Sequence, residues 1–170
     1  MGELVTVDDP AWPALLEEVT VSDVSTRTLP SEGTEQGRTC LHRLQVSARS
    51  WLGAMALHSD GLLVDHGWVR VLGGPSAVPG MSDLLRANTL TETASAHTAP
   101  SRLIVAYDVL GGVFAIKGGG VAASSLPGDP GHVIYFAPDC LEWECWEPGH
   151  GSWLRWLLLS LKGRSYSAEG

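Results

Sequence analysis

Residues 52–72 read LGAMALHSDGLLVDHGWVRVL, and three short apolar runs stand out in them: Leu52–Leu57, Leu62–Val64 and Trp68–Leu72. Ser59-Asp60-Gly61 separates the first pair and His66-Gly67 the second. Asp-Gly between apolar runs is a hairpin signal, because the second turn position needs a positive φ that glycine adopts without cost. Within the third run Trp68, Arg70 and Leu72 fall on one side and Val69 and Val71 on the other, the period of a half-buried strand. An antiparallel meander follows.

The same grammar recurs further along. Leu103–Tyr107 and Val113–Ile116 flank Gly111-Gly112, a second hairpin signature. His132–Phe136 reads as a strand, Ala137-Pro138-Asp139 as a turn, and Cys140–Trp146 as a strand. In the last, Leu141, Trp143 and Cys145 share an apolar face, while Cys140, Glu142, Glu144 and Trp146 share the other. Helical spacing marks both ends. Trp12, Leu15, Leu16 and Val19 form one stripe after a start at Asp9 and Pro10, and Trp153, Trp156, Leu157 and Leu161 form another from Ser152 onward. A short helix is predicted at Ser82–Asn88 with Ser82 as cap. A weaker helical stretch covers Cys40–Ala48, where a strand at Leu41–Val46 fits nearly as well. Residues 22–37, 89–101 and 118–131 read as loops. The expectation is an α+β domain over residues 1–170, mainly an antiparallel sheet of about six strands with helices at the N-terminus and the C-terminus, and a disordered or atypical tail at 162–170.

Composition restricts the function. With 170 residues the chain is long enough to bury a core without a metal or disulfide staple. Nineteen acidic residues against eleven basic ones give a net charge of −8. That surface repels phosphate backbones and anionic lipid, so nucleic acid and membrane are not expected as partners, whereas a basic protein is. Three cysteines, Cys40, Cys140 and Cys145, show neither the Cys-x-x-Cys nor the His spacing of a zinc site and are expected to be reduced in the cytoplasm. The run Trp153–Leu161 contains Arg155 and is far shorter than the ~20 residues that span a bilayer. The N-terminus lacks the basic and apolar regions of a signal peptide.

No catalytic motif survives inspection. Gly118, Gly120 and Ala123 match the letters of a dinucleotide fingerprint, but Leu126-Pro127-Gly128-Asp129-Pro130 forbids the helix whose amides would meet the pyrophosphate, so no cofactor is expected. There is no Gly-x-Ser-x-Gly elbow, and Cys145, on its apolar face, reads as a packed thiol. Asp65-His66 is the one acid–histidine neighbour pair, and on a strand the two would point apart; a turn role for Asp65 is the simpler reading. A small-molecule-binding or hydrolase-like site built from Asp65, His66 and Asp108 between the two strand blocks is the alternative. Asp139, Glu142, Glu144 and Glu147 gather acid near Trp143 and Trp146, and side-by-side carboxylates on one strand face repel unless solvated or met by a cation. A binding face of Asp139, Glu142, Glu144, Trp146 and Trp68 is therefore the leading expectation, with no metal site.

Taken together, Asp9-Pro10-Ala11-Trp12-Pro13, the stretch Leu52–Gly73 with Asp65-His66-Gly67-Trp68, Asp108–Ala115, Tyr135-Phe136-Ala137-Pro138-Asp139 and Trp153-Leu154-Arg155-Trp156 resemble the bacterial domain of unknown function 2625 family. That likeness covers most of the chain and implies no particular mechanism. The second half, with Gly111-Gly112-Val113-Phe114-Ala115, the following aromatic strand and the terminal Trp helix, is also similar in architecture to the SUKH superfamily. This implies an immunity-type role, a non-enzymatic domain that docks a basic, toxin-like protein.

Overall fold

In the computed structural model residues 11–88, 101–147 and 149–160 are described. Every neighbouring pair of strands in the sheet is antiparallel, and the spatial order follows the chain: β1 (Thr26–Pro30), β2 (Ser59–Val64), β3 (Val69–Leu72), β4 (Arg102–Asp108), β5 (Val113–Lys117), β6 (Val133–Ala137) and β7 (Glu142–Glu147). The fold is α+β, with a seven-stranded meander and helices at both ends. The helices are α1 (Ala11–Val21), α2 (Thr34–Leu44), α3 (Trp51–His58), α4 (Leu84–Ala87) and α5 (His150–Ser160).

The hairpin at Asp65-His66-Gly67 forms where expected. Asp65 and His66 both adopt left-handed backbone (φ 52° and 56°), followed by Gly67 at 88°, and Trp68 N–H donates to Asp65 O at 3.0 Å. Consecutive left-handed residues twist the turn to match the twist of the strands it joins. The hairpin at Gly111-Gly112 also forms, between β4 and β5.

Four expectations fail for identifiable reasons. Leu52–Leu57 is a helix, not a strand: Ser50 Oγ caps it by accepting Gly53 N–H at 3.0 Å, and every residue from Leu52 to Leu57 is buried. A helix enclosed by neighbours on all sides carries no period, and a short apolar run cannot be told from a strand by pattern. Ser59-Asp60-Gly61 opens β2 rather than making a hairpin turn. Asp60 is 3% exposed there, which is tolerable because Ser76 Oγ donates to its Oδ2 at 2.6 Å and Arg70 Nη2 to its Oδ1 at 3.2 Å. Residues 22–37 hold β1 and the start of α2, so the seventh strand lies where a loop was expected. Finally, Asp83 caps α4 in place of Ser82, its Oδ1 accepting Leu85 and Arg86 N–H, both at 2.9 Å.

The core gathers where α3 lies against α1, α2, α5 and β2. In α5 the buried positions are Trp153, Leu154, Leu157 and Leu158, with Trp156 only partly covered. Each fully buried Leu of this kind contributes about 1.5–3 kcal/mol of apolar transfer. The expected helix start at Asp9 and Pro10, residues 89–100 of the expected loop at 89–101, Leu161 and the tail at 162–170 lie outside the described residues.

Candidate functional site

The register of the sheet builds the site. Leu62, Val71, Ala106, Phe114, Tyr135 and Glu144 are successive cross-strand partners and so share one face. The row is buried through Phe114, half-buried at Tyr135 and exposed at Glu144. It therefore runs from the core out to a carboxylate on the edge strand. α5 covers its middle, with the Trp153 ring 5.1 Å from Phe114.

Asp108 ends β4 beside this row. Its Oδ1 accepts the N–H groups of Leu110 (2.9 Å) and Gly112 (2.8 Å), and its Oδ2 accepts the Tyr135 hydroxyl at 2.6 Å. Partial burial, then that hydrogen bond, then the charges of Asp108, Asp139 and Glu144 push the Tyr135 phenol above its ordinary range. Those three carboxylates thus sit within electrostatic reach of one phenol. Among the described residues, no ion pair neutralises Asp108, Asp139, Glu142 or Glu144.

Aromatic surface adjoins the acid. Trp146 is 39% exposed and stands edge-on to Tyr135 (5.5 Å), Phe114 (6.1 Å) and Trp156 (5.3 Å). Because the turns after β2, β4 and β6 lie at one end of the meander, Val109, Leu110 and Leu141 emerge at that end, 58%, 66% and 69% exposed. The result is an acid group flanked by apolar side chains along the β6–β7 margin and the neighbouring hairpin tips.

The expected residues therefore divide. Asp139, Glu142, Glu144 and Trp146 lie together on β7 and its turn, and Asp108 joins them. Trp68 belongs to the β2–β3 turn, partly buried against the core, and its carbonyl accepts Val109 N–H at 3.0 Å. Asp65 and His66 occupy the tip of that turn, and every described hydrogen bond of the Asp108 carboxylate goes to Leu110, Gly112 or Tyr135 instead. Glu147 ends β7. Among the described residues no three His, Cys, Asp or Glu side chains gather as a metal ion would require, and no helix is long and apolar enough to cross a membrane.

Sequence reading missed Tyr135, although the pairing of β6 with β7 about the Ala137–Leu141 turn places it opposite Glu144. The expected alternation of Glu142 and Glu144 against Trp143 and Cys145 along β7 holds, but the side expected to pack was the wrong one. Trp146, on the glutamate side, enters the aromatic cluster, whereas Leu141 and Cys145 are exposed.

The family model described as "Protein of unknown function DUF2625" matches residues 1–167. An uncharacterised protein of Escherichia coli strain K12, YbfG, is 36% identical over 159 residues, 93% of this chain and 68% of that protein. An uncharacterised protein of Haemophilus influenzae is 32% identical over 120 residues, 69% of this chain and 49% of that protein. The aligned part thus spans about two thirds of one relative and about half of the other.

Proposed function

We propose a docking function for this chain, which belongs to the DUF2625 family of proteins of unknown function. The partner is a basic protein, and the contact face is the β6–β7 margin with Asp139, Glu142, Glu144 and Trp146, extended by Asp108, Tyr135 and the apolar hairpin tips. The carrying observation is the set of carboxylates around Tyr135 that lack a cation among the described residues, beside a half-exposed Trp146. Unpaired carboxylates on a solvated edge steer a cationic partner, and a neighbouring tryptophan supplies the anchor area that dominates interface energetics. Arg or Lys from the partner also gains from the Trp146 and Tyr135 rings.

An immunity-type role in the cytoplasm, in which the bound protein is a toxin, is the specific form that the resemblance of the second half of the sequence to the SUKH superfamily would imply. The competing reading is a small-molecule or hydrolase-like site of Asp65, His66 and Asp108. It has less support, because the Asp108 carboxylate is engaged on the β5–β6 side.

Affinity capture from the encoding organism, run with the wild-type chain and with Glu142→Lys/Glu144→Lys, tests the proposal. A basic protein held by the wild type and lost by the double variant supports it. A basic protein retained equally by both, or no basic protein at micromolar strength, overturns it.

A further inference from the structure

On the other face of β7, Cys145 points away from the glutamates and meets His132. Its Sγ lies 3.5 Å from His132 Nδ1, and the backbone N–H of Asp129 donates to that same nitrogen at 3.1 Å. A ring nitrogen that accepts an N–H carries no hydrogen of its own, so in the neutral imidazole the proton is on Nε2 and the Cys145 S–H is the donor. This fixes the direction of proton movement, from sulfur to Nδ1.

The surrounding loop is shaped to allow the contact. Gly128 has φ 74°, and a Cβ there would stand 2.8 Å from Cys145 Sγ and 3.0 Å from His132 Nδ1. Lys117 Nζ holds the loop by donating to Leu126 O (2.7 Å) and Gly128 O (2.6 Å), and His132 N–H donates to Asp129 O at 3.0 Å. The charged neighbours are Asp129 on the loop, Lys117 on β5, and Arg102 of β4, which lies over Trp143 at 5.2 Å.

The other thiols lack such a partner. Cys40 is completely buried, and burial, reinforced by Asp83, pushes its pKa up to about 12. Cys140 is exposed, but among the described residues its sulfur meets only Ala137 O, at 4.0 Å. Cys145 combines an exposed sulfur with a positioned base, which is the environment of a reactive thiol.

We propose that Cys145 is a modification site that exchanges with low-molecular-weight disulfides, with His132 as its base. His132 Nδ1 takes the thiol proton, giving up the Asp129 hydrogen bond, and Cys145 Sγ attacks one sulfur of the disulfide R–S–S–R. That S–S bond breaks, a Cys145–S–S–R bond forms, and the departing thiolate takes the proton from His132 and leaves as R–SH. The site lies on the face opposite the glutamates, so it stands independently of the docking reading.

The test treats the full folded chain with oxidised glutathione near neutral pH and follows each cysteine by peptide mass mapping. Cys145 is expected to acquire the adduct on the order of tenfold faster than Cys140, while Cys40 stays unmodified. His132→Gln should remove that advantage near neutral pH, and the two proteins should converge at alkaline pH, where the thiolate forms without a base. Equal rates for Cys145 and Cys140 in the wild-type chain overturn the proposal without any variant. So does a His132→Gln chain that keeps the advantage, or one whose deficit persists at alkaline pH.

Discussion

Tyr135 donates its phenolic hydrogen to Asp108 Oδ2 at 2.6 Å, bridging the end of β4 to the middle of β6 across β5. The carboxylate that receives it also closes the β4–β5 turn through Leu110 and Gly112. One aspartate therefore fixes both a hairpin and the phenol that lies between the core and the acidic edge.

Tyr135 ionisation should reveal this bond. Burial, the hydrogen bond and the three nearby carboxylates raise the phenol above its ordinary 10.0. A raised folded value means that the stabilisation is fully present below the ordinary value and is lost as pH rises through the raised one. Phenolate absorbance of the native chain should thus show Tyr135 titrating above the ordinary range. Asp108→Asn should lower that midpoint by removing both the charge and the charged acceptor.

Gly112→Ala should disturb the same bond through space alone. A Cβ at residue 112 would collide with Tyr135 Oη and Asp108 Oδ2. Forced displacement of this kind costs about 1–3 kcal/mol. Urea denaturation should show that loss, and the Tyr135 midpoint should move back towards its ordinary value. Gly111→Ala makes a useful comparison, because Gly111 has open space around it but a φ of 92°. It should destabilise while leaving the Tyr135 midpoint high.

His150 should set an acid limit to stability. Both ring nitrogens are buried without a partner among the described residues, and burial pulls its pKa from 6.5 down to about 4. The unfolded chain then binds a proton that the folded chain refuses, so stability falls as pH drops from 6.5 through about 4. His150→Phe should flatten the pH dependence of urea stability over that window, because the substitution removes the buried base.

Asp60→Ala should be among the most damaging single changes outside the apolar core. It strips Ser76 and Arg70 of their buried acceptor, and Arg70 Nε and Nη1 already lack partners among the described residues. Removing one member of such a buried pair costs about 3–5 kcal/mol, measurable by urea denaturation. Asp60→Asn, which keeps an acceptor, should cost less.

The parts of this fold that were legible in the sequence are those whose backbone demands a particular residue. Asp65-His66-Gly67 and Gly111-Gly112 announce their turns through residues that tolerate positive φ, and strand alternation follows from those turns. Leu52–Leu57 was not legible, because a helix buried on every side loses the period that identifies it. Asp60 misled for a related reason: its turn-like neighbour Gly61 conceals a buried carboxylate whose partners, Arg70 and Ser76, are distant in sequence. The acidic character of β7 was legible residue by residue. The arrival of Asp108 beside it, and of His132 beside Cys145, depends on the β4–β5–β6–β7 register and on the path of the loop at 118–131, neither of which local pattern encodes.

The docking face is tested most directly by backbone amide NMR of the full chain titrated with a short peptide rich in lysine and leucine. Docking at the β6–β7 margin requires shift changes centred on Asp139, Glu142, Glu144 and Trp146, weakening as salt screens the carboxylates and vanishing in folded Glu142→Lys/Glu144→Lys. Changes spread evenly over the acidic surface, or centred on the Asp65–Gly67 turn, would contradict it.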